Sequence, residues 1–394
     1  MSAAAAPSRA AFAPLNRVAW RGLVGRYRDV VAPCTEAPEV FHLGSLISAV
    51  GCLIGRRAWV RAPKDIYPNF YSLLVGQTAN ARKTTAYQFA LDLFEEVQEL
   101  LYDDHAKRLN GPASAEGLAL AMTRRDSPAP YRILCVEDEF RSLVTKGNQQ
   151  AVGNLIPKLT ELFNCPRTFE VNTKNNPLLV RNPFLCMLAA STRAWFEQSL
   201  TQRDVSGGFL NRWLLFEGGA EKFLPTPPPI ETRRWEDVVL DVADAIHSCS
   251  GFYQFTPSAD KLYSDFYVFA RKEFDSEATS RTDLHARKLG SLYAILANRK
   301  DNLIHFDDIE SGSEVAKYCA LVTEPIAACL GVSHQRGLED RLQSFMGTGS
   351  GFEKRDLYRA LHVSVFEFNR IFDPLLRQGM IREEKGKYYL SKFS

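Results

Sequence analysis

The chain has 394 residues, 45% of them hydrophobic and 24% charged, proportions of an ordinary globular protein with length for two or three domains. With 48 Lys and Arg against 46 Asp and Glu the formal net charge is +2, so bulk charge gives no argument for nucleic acid and any basic surface has to be local. The 8 cysteines lie scattered in apolar runs with no C-x-x-C pair and no zinc-like His spacing, which argues against a zinc module and reads as reduced thiols of a cytoplasmic protein.

In chain order, the opening "MSAAAAPSRAAFAPL" lacks the continuous apolar segment of a secretory signal and reads as a frayed start. Residues 16–66 read as a helical lead-in that ends in a short strand, "RAWVRAP". Within it "VFHLGSLISAVGCLIG" is too short to cross a bilayer, so a buried helix is expected and no membrane partner. Residues 67–222 then alternate. The expected elements are strand "YSLLVG", a helix from Thr84 to about Asp103, helix "SAEGLALAMTRR", strand "YRILCVEDE", helix "NLIPKLTELFN", hairpin "TFEVNTKNNPLLV", and strands "FLCMLAAST" and "RWLLFEG". Strands of near-continuous apolar character separated by helices predict an α/β core with a mainly parallel sheet covered on both faces. The proline cluster "LPTPPPIETRR" reads as a linker. Apolar spacing of three and four predicts a helical second domain or lid over 235–335. After the joint "GTGSG", residues 338–394 read as two helices and a hairpin around Lys385-Gly386, the pattern of a winged helix.

The chemistry begins in "LLVGQTANARKTTA". An apolar strand reaches Gly76, a loop of Gln77, Thr78, Ala79, Asn80 and Ala81 follows, and Arg82-Lys83-Thr84-Thr85 opens a helix. A phosphate loop of the G-x-x-x-x-G-K-[ST] type needs backbone N–H groups around the phosphates, a lysine for the outer ones and a hydroxyl for Mg²⁺. Two registers compete: counting from Gly76 puts Arg82 at the lysine, and counting back from Lys83-Thr84 puts Gln77 and Arg82 at the glycines. Two cations at a helix start run against the helix dipole, which favours an anion there, although a plain basic turn has the same sequence. The second element is "RILCVEDEF". Its Asp138 and Glu139 suit Mg²⁺ binding and activation of water, with Glu137 as a facing residue, and a solvated acidic turn is the alternative. Third, Ser191 and Thr192 end an apolar strand, where they could sense a γ-phosphate or else cap the next helix. Fourth, Arg212 in "SGGFLNRW" could act as an arginine finger toward a neighbouring subunit or as a structural ion pair.

This ordered set, Gly76 to Thr85, Asp138-Glu139, Ser191-Thr192 and "GGFLNRW", resembles a P-loop ATPase family of uncharacterised-domain type found with phage, plasmid and mobile-element primases. The stretches "TEAPEVFHLGSLISAVGCLIGRR", "YPNFYSLLVG" and "ARKLGSLYAI" extend the resemblance over about 35–300. It implies a ring-forming, helicase-like ATPase related to AAA+ and viral-type helicases. It also implies that Lys83 contacts phosphate, Thr84 or Thr85 serves Mg²⁺, Asp138 binds the metal, Glu139 activates water and Arg212 is the finger. Arg287, or Arg281, would be a sensor in the second domain. No primase domain is present in this chain, so a primase or another replication or defence protein would be a partner.

For DNA, Asn172, Lys174, Asn175 and Asn176 form the tip of the expected hairpin, where related helicases carry a pore loop for single strands. Arg370, Arg377, Arg382, Lys385 and Lys387 would meet duplex phosphates at the C-terminal module. The expected function is therefore an oligomeric, ATP- and Mg²⁺-dependent DNA helicase or translocase of mobile-element replication or an allied defence process. The competing readings are a DNA-binding initiator with a non-hydrolysing nucleotide site and a partner-recruiting assembly ATPase.

Overall fold

The computed structural model describes residues 14–76, 81–112, 114–148, 155–172, 177–200, 207–219, 222–347, 351–361, 363 and 365–391, with backbone alone at 148, 330–337, 366, 367 and 370. The chain divides into two compact units, Met1–Pro325 and Ile326–Ser394.

In the first unit the apolar strands β2 (Tyr71–Gly76), β4 (Arg132–Glu137), β7 (Phe184–Thr192) and β8 (Trp213–Gly218) join β3 (Ala106–Asn110) in one sheet. Its order is β3-β4-β7-β2-β8 and every pairing is parallel. The chain thus inserts β7 between the strand that precedes the Arg82-Lys83 segment and the strand that carries the acidic run. Register aligns the carboxyl ends: Gly76 stands opposite both Thr192 and Gly218, and Glu137 opposite Ala189.

Successive side chains alternate between the two faces. Helix α1 (Gly22–Val31) leads to α2 (Glu39–Ile54), which lies on one face, where Ser48 donates to Ser72 Oγ at 2.8 Å or to the Met187 carbonyl at 2.9 Å. Its small residues allow that approach, since a Cβ at Gly44 would come within 2.5 Å of the Phe216 ring. Residues 41–54 are all buried, as expected of that apolar run, and among the described residues no helix is long and apolar enough to cross a membrane. On the other face Tyr71 donates to the Leu159 carbonyl at 2.9 Å, and its ring meets Phe163 and Trp213. Helices α3 (Lys83–Leu100), α4 (Ala115–Met122), α5 (Phe140–Asn148), α6 (Leu155–Leu162) and α7 (Arg193–Ser199) connect the strands.

The lead-in and the helical segment after the proline cluster belong to this same unit, where the sequence suggested separate domains. A second parallel sheet joins them: β1 (Ala58–Val60) pairs with β9 (Gly251–Phe255), which pairs with β10 (Leu303–Ile304). Around it pack α8 (Thr232–Ser248), α9 (Pro257–Glu273) and α10 (Thr282–Leu296). Two bonds fix α10 at the amino edge of the large sheet: His285 Nε2 meets the Asn211 carbonyl at 3.0 Å, and Lys288 Nζ donates to Asn69 Oδ1 at 2.6 Å.

Helix α11 (Phe306–Gly347) contains the unit boundary at Pro325. In the second unit, α12 (Lys354–Leu361), α13 (Val365–Arg377) and the hairpin of β11 (Ile381–Glu384) and β12 (Lys387–Leu390) close over Leu342, Leu357, Phe368, Phe372 and Ile381. The hairpin turn places Lys385 at φ 49° and Gly386 at φ 77°, the pair of positive angles that a tight two-residue hairpin turn needs. Phe352 adds a short antiparallel bridge to Tyr388 on the same hairpin, giving the order helix, bridge, helix, helix, hairpin.

Candidate functional site

The carboxyl edge of a parallel sheet is where ligands of open α/β folds sit. Here that edge gathers Gly76, Thr192, Gly218 and the Glu137-Asp138-Glu139 run. Gln77, Thr78, Ala79 and Asn80 lie outside the described residues. After them Ala81 is buried, and Arg82 takes the left-handed conformation, φ 50° and ψ 36°, as the residue before α3. A glycine adopts that conformation at lower cost, so Arg82 stands at a place where a phosphate loop has its second glycine.

The geometry sends the two adjacent cations in different directions. A Cβ built on Gly76 would lie 2.9 Å from Lys83 Nζ and 2.6 Å from Ala81 Cβ, so the Lys83 ammonium turns back over the end of β2. Burial pulls its affinity for a proton below the usual lysine value. The Arg82 guanidinium leaves in another direction and pairs with Glu36 Oε2 at 3.1 Å, while Glu36 Oε1 accepts the Leu224 N–H at 2.8 Å. The expectation that Arg82 and Lys83 act on the same ligand therefore meets an arrangement in which Arg82 is tied to the lead-in. Thr84 and Thr85 are exposed on the first turn of α3, which has no acidic residue there and, among the described residues, no side-chain cap. Its first N–H groups are a natural seat for an anion.

Tyr87, one turn into α3, is the residue that sequence reasoning missed. Its hydroxyl bonds Asp138 Oδ1 and also interacts with Thr84, so the helix start and the acidic run are joined by side chains. Burial, then the bond to Asp138, raises the phenol to about 12. Its one-turn spacing from Lys83 was a signal, but an aromatic residue on the inner side of a helix reads as core. Alternation separates the neighbouring acids. Glu137 shares its face with Ala189 and Tyr71, faces Lys146 at 4.0 Å, and has a buried Oε2 with no hydrogen bond among the described residues. Burial raises its carboxyl. Asp138, just past the strand, turns to α3 and is exposed; Glu139 is half-buried and its N–H bonds the Glu137 carboxylate.

Ser191 is buried and donates to the Thr192 carbonyl at 3.0 Å. Thr192 accepts the Trp195 N–H at 3.2 Å, the capping role considered for it from sequence. Beside it Arg193, also missed, bridges Glu197 at 2.9 Å and Glu217 of β8 at 2.8 Å.

Two arginines are not at this edge of their own chain. Arg212 precedes β8 at the amino edge, is 7% exposed, and donates to the carbonyls of Thr160 and Gly208 and to Asn211 Oδ1. Burial, then repulsion from Arg281, lowers it to about 10. Those bonds hold the turn before β8 and run to carbonyl oxygens rather than to the carboxylate of an ion pair. Arg287 likewise sits on α10 against the Tyr263 ring, 4.4 Å from its centroid, and not beside Lys83. Both placements have one cause: α10 lies at the amino edge, which the linear order of motifs does not reveal.

For the expected DNA contacts, Asn172 is exposed beyond β5 (Thr168–Val171), which pairs with β6 (Leu178–Arg181); Lys174 and Asn175 lie outside the described residues. Arg377 is exposed and donates to the Asp373 carbonyl of its own helix, Lys385 is exposed at the hairpin turn, and Arg370 falls within α13. No family model matches the chain, and no curated protein matches it.

Proposed function

We propose that the chain is a P-loop nucleoside-triphosphate hydrolase acting on DNA, an ATPase with helicase- or translocase-like work in mobile-element replication or an allied defence process. The observation that carries this reading is the Lys83 ammonium folded over the end of β2 while Tyr87 joins Thr84 to Asp138 across the inserted strand β7. The Lys83 ammonium packed against Gly76, a first turn of α3 with no side-chain cap among the described residues, and the partial burial of that lysine fit a phosphate chain.

In this reading Lys83 holds the outer phosphates. Thr84 and Asp138 are the residues to hold Mg²⁺, which when bound shields the charge between phosphate oxygens. Glu139 takes a proton from the attacking water, and Ser191 and Thr192, between the loop strand and the acidic strand, orient it. Arg212 and Arg287 have no catalytic role within their own chain here.

The second unit, with its helix, bridge, helix, helix, hairpin order, is proposed as a winged helix presenting Arg377 and Lys385 to duplex DNA, and Arg370 is assigned to the same role from its sequence position. The β5–β6 hairpin is proposed to carry single-stranded DNA, and the assembly to be a cytoplasmic homo-oligomer that works beside a primase or similar protein. ATP turnover measured with and without single-stranded DNA tests the reading. Stimulation by DNA, and loss of turnover with retained nucleotide binding in Glu139→Gln, are the expected results. A protein that binds ATP but hydrolyses none under either condition ends it.

A further inference from the structure

The amino edge of the large sheet carries a feature that the site above does not use. A cavity of about 870 Å³ opens there, bounded by the segment from Arg56 to Asn69, the turn after α6 and the side of α10. That volume is within the range of small-molecule sites. Its floor is Lys288, 3% exposed, whose ammonium donates to the Asn69 carbonyl at 3.1 Å and to Asn69 Oδ1 at 2.6 Å and lies 3.7 Å from the centroid of the Phe163 ring. Arg56 forms a wall, and Lys64 and Arg167 stand exposed at the rim. Asp65 is the one carboxylate among the lining residues.

Charge is what makes this cavity unusual. Arg56 donates only to the carbonyls of Pro166 and Pro183, and Lys288 only to Asn69, so among the described residues neither of these cations has a carboxylate partner. Arg212 and Arg281 approach the same Phe163 ring, each at 6.0 Å. Burial pulls Lys288 down to about 8, and Arg281 and Arg212 add to that while the nearby thiols of Cys165 and Cys186 oppose it. Cations removed from water are almost always paired, because an uncompensated charge in a low dielectric is costly. The cavity offers such a charge the space for a counter-ion.

We infer that this cavity binds a small phosphorylated anion carrying two or more negative charges, separate from the carboxyl-edge site. Lys288 and Arg56 take the phosphate at the floor, and Arg167 and Lys64 steer it in. Arginine and lysine together suit phosphate oxygens, the one through its fork and the other as a point charge. The anion is either a free phosphorylated metabolite or the terminal phosphate of a nucleic-acid strand.

Calorimetric titration of the full chain with inorganic pyrophosphate at low salt tests this. Saturable binding that survives Lys83→Ala, weakens at least tenfold in the rim double variant Lys64→Glu/Arg167→Glu and weakens similarly in Lys288→Met is the expected result. The rim variant alters exposed residues, so it keeps the test alive should Lys288→Met fail to fold. Competition by a 5′-phosphorylated oligonucleotide but not by its 5′-hydroxyl counterpart would support the inference with a strand end as ligand; failure of both to compete would support it with a free metabolite. No saturable heat up to millimolar pyrophosphate, or binding that vanishes with Lys83→Ala and ignores the rim variant, overturns it.

Discussion

Gly76→Ala probes the link between the end of β2 and the Lys83 ammonium. The added methyl would sit 2.6 Å from Ala81 Cβ, 2.9 Å from Lys83 Nζ and 3.3 Å from Lys83 Cδ. Ordinary carbon contacts are about 3.5–4.0 Å, so Ala81 has to retreat by roughly 1 Å and the ammonium by about half that. Gly76 itself cannot yield readily, because it is held in register between Thr192 and Gly218. Overpacking of this size costs about 1–3 kcal/mol, and the stiffer unfolded chain of an alanine returns about 0.4–1 kcal/mol, leaving a net loss of about 1–2 kcal/mol. Moving a charged donor off a phosphate forfeits about 1.5–3 kcal/mol, roughly ten- to hundredfold in affinity. Urea denaturation followed by tryptophan fluorescence reads the first quantity, and titration with a fluorescent ATP analogue reads the second. Gly117→Ala on α4, where the new methyl meets only Ser114 Oγ at 3.4 Å, is the control and should keep both. A Gly76→Ala protein with wild-type stability and wild-type nucleotide affinity would refute the reasoning.

Three further outcomes are expected. Lys83→Ala should abolish ATP turnover while Arg82→Ala, which breaks the exposed pairing with Glu36, lowers it only in part; the reverse ranking would move the phosphate lysine by one residue. Tyr87→Phe should cost on the order of 1 kcal/mol, and a double-mutant cycle with Asp138→Ala should return a coupling of about 1 kcal/mol or more, with additivity counting against the bridge. Acid should destabilise the first unit through His42 and His285. Burial first lowers both to about 3, and the unfolded chain takes up protons near 6.5, so their contribution is complete above pH 6.5 and is lost as pH falls from there toward 3. Each contributes a slope approaching ~1.4 kcal/mol per pH unit, so His42→Phe should flatten the decline in stability between pH 6.5 and 4.5, and unchanged slopes would contradict the assignment.

Much of the architecture was legible because it is written in local pattern. The apolar runs "YSLLVG", "RILCVE", "FLCMLAAST" and "WLLFEG" read as strands buried on both faces, and they are the three inner strands and one edge strand of the parallel sheet. The glycines and serines of "FHLGSLISAVGCLI" mark a helix that must approach its neighbours closely, and it lies on that sheet. Lys385-Gly386 predicts its own turn through backbone conformation alone. In contrast β3, "AKRLN", is a polar edge strand whose partner supplies most of its definition, so neither period nor composition announces it. The strands "GFYQF" and "LI" exist through pairing with one another and with β1, nearly two hundred residues away, and no local signal encodes such a pairing.

The candidate site divides in the same way. The sequence by itself determined that a basic helix start follows one apolar strand, that acids follow another and that a polar pair ends a third, since each depends on neighbours in the chain. Tertiary structure decided that Lys83 and not Arg82 turns back to β2, that Tyr87 reaches Asp138, and that Glu137 faces the other side of the sheet. It also put Arg212, Arg287 and Lys288 at the opposite edge, where α10 crosses and the cationic cavity opens. The physical reason is that periodicity reports which face of an element is buried, whereas the direction and partners of one side chain depend on strand order and on helices packed from distant parts of the chain.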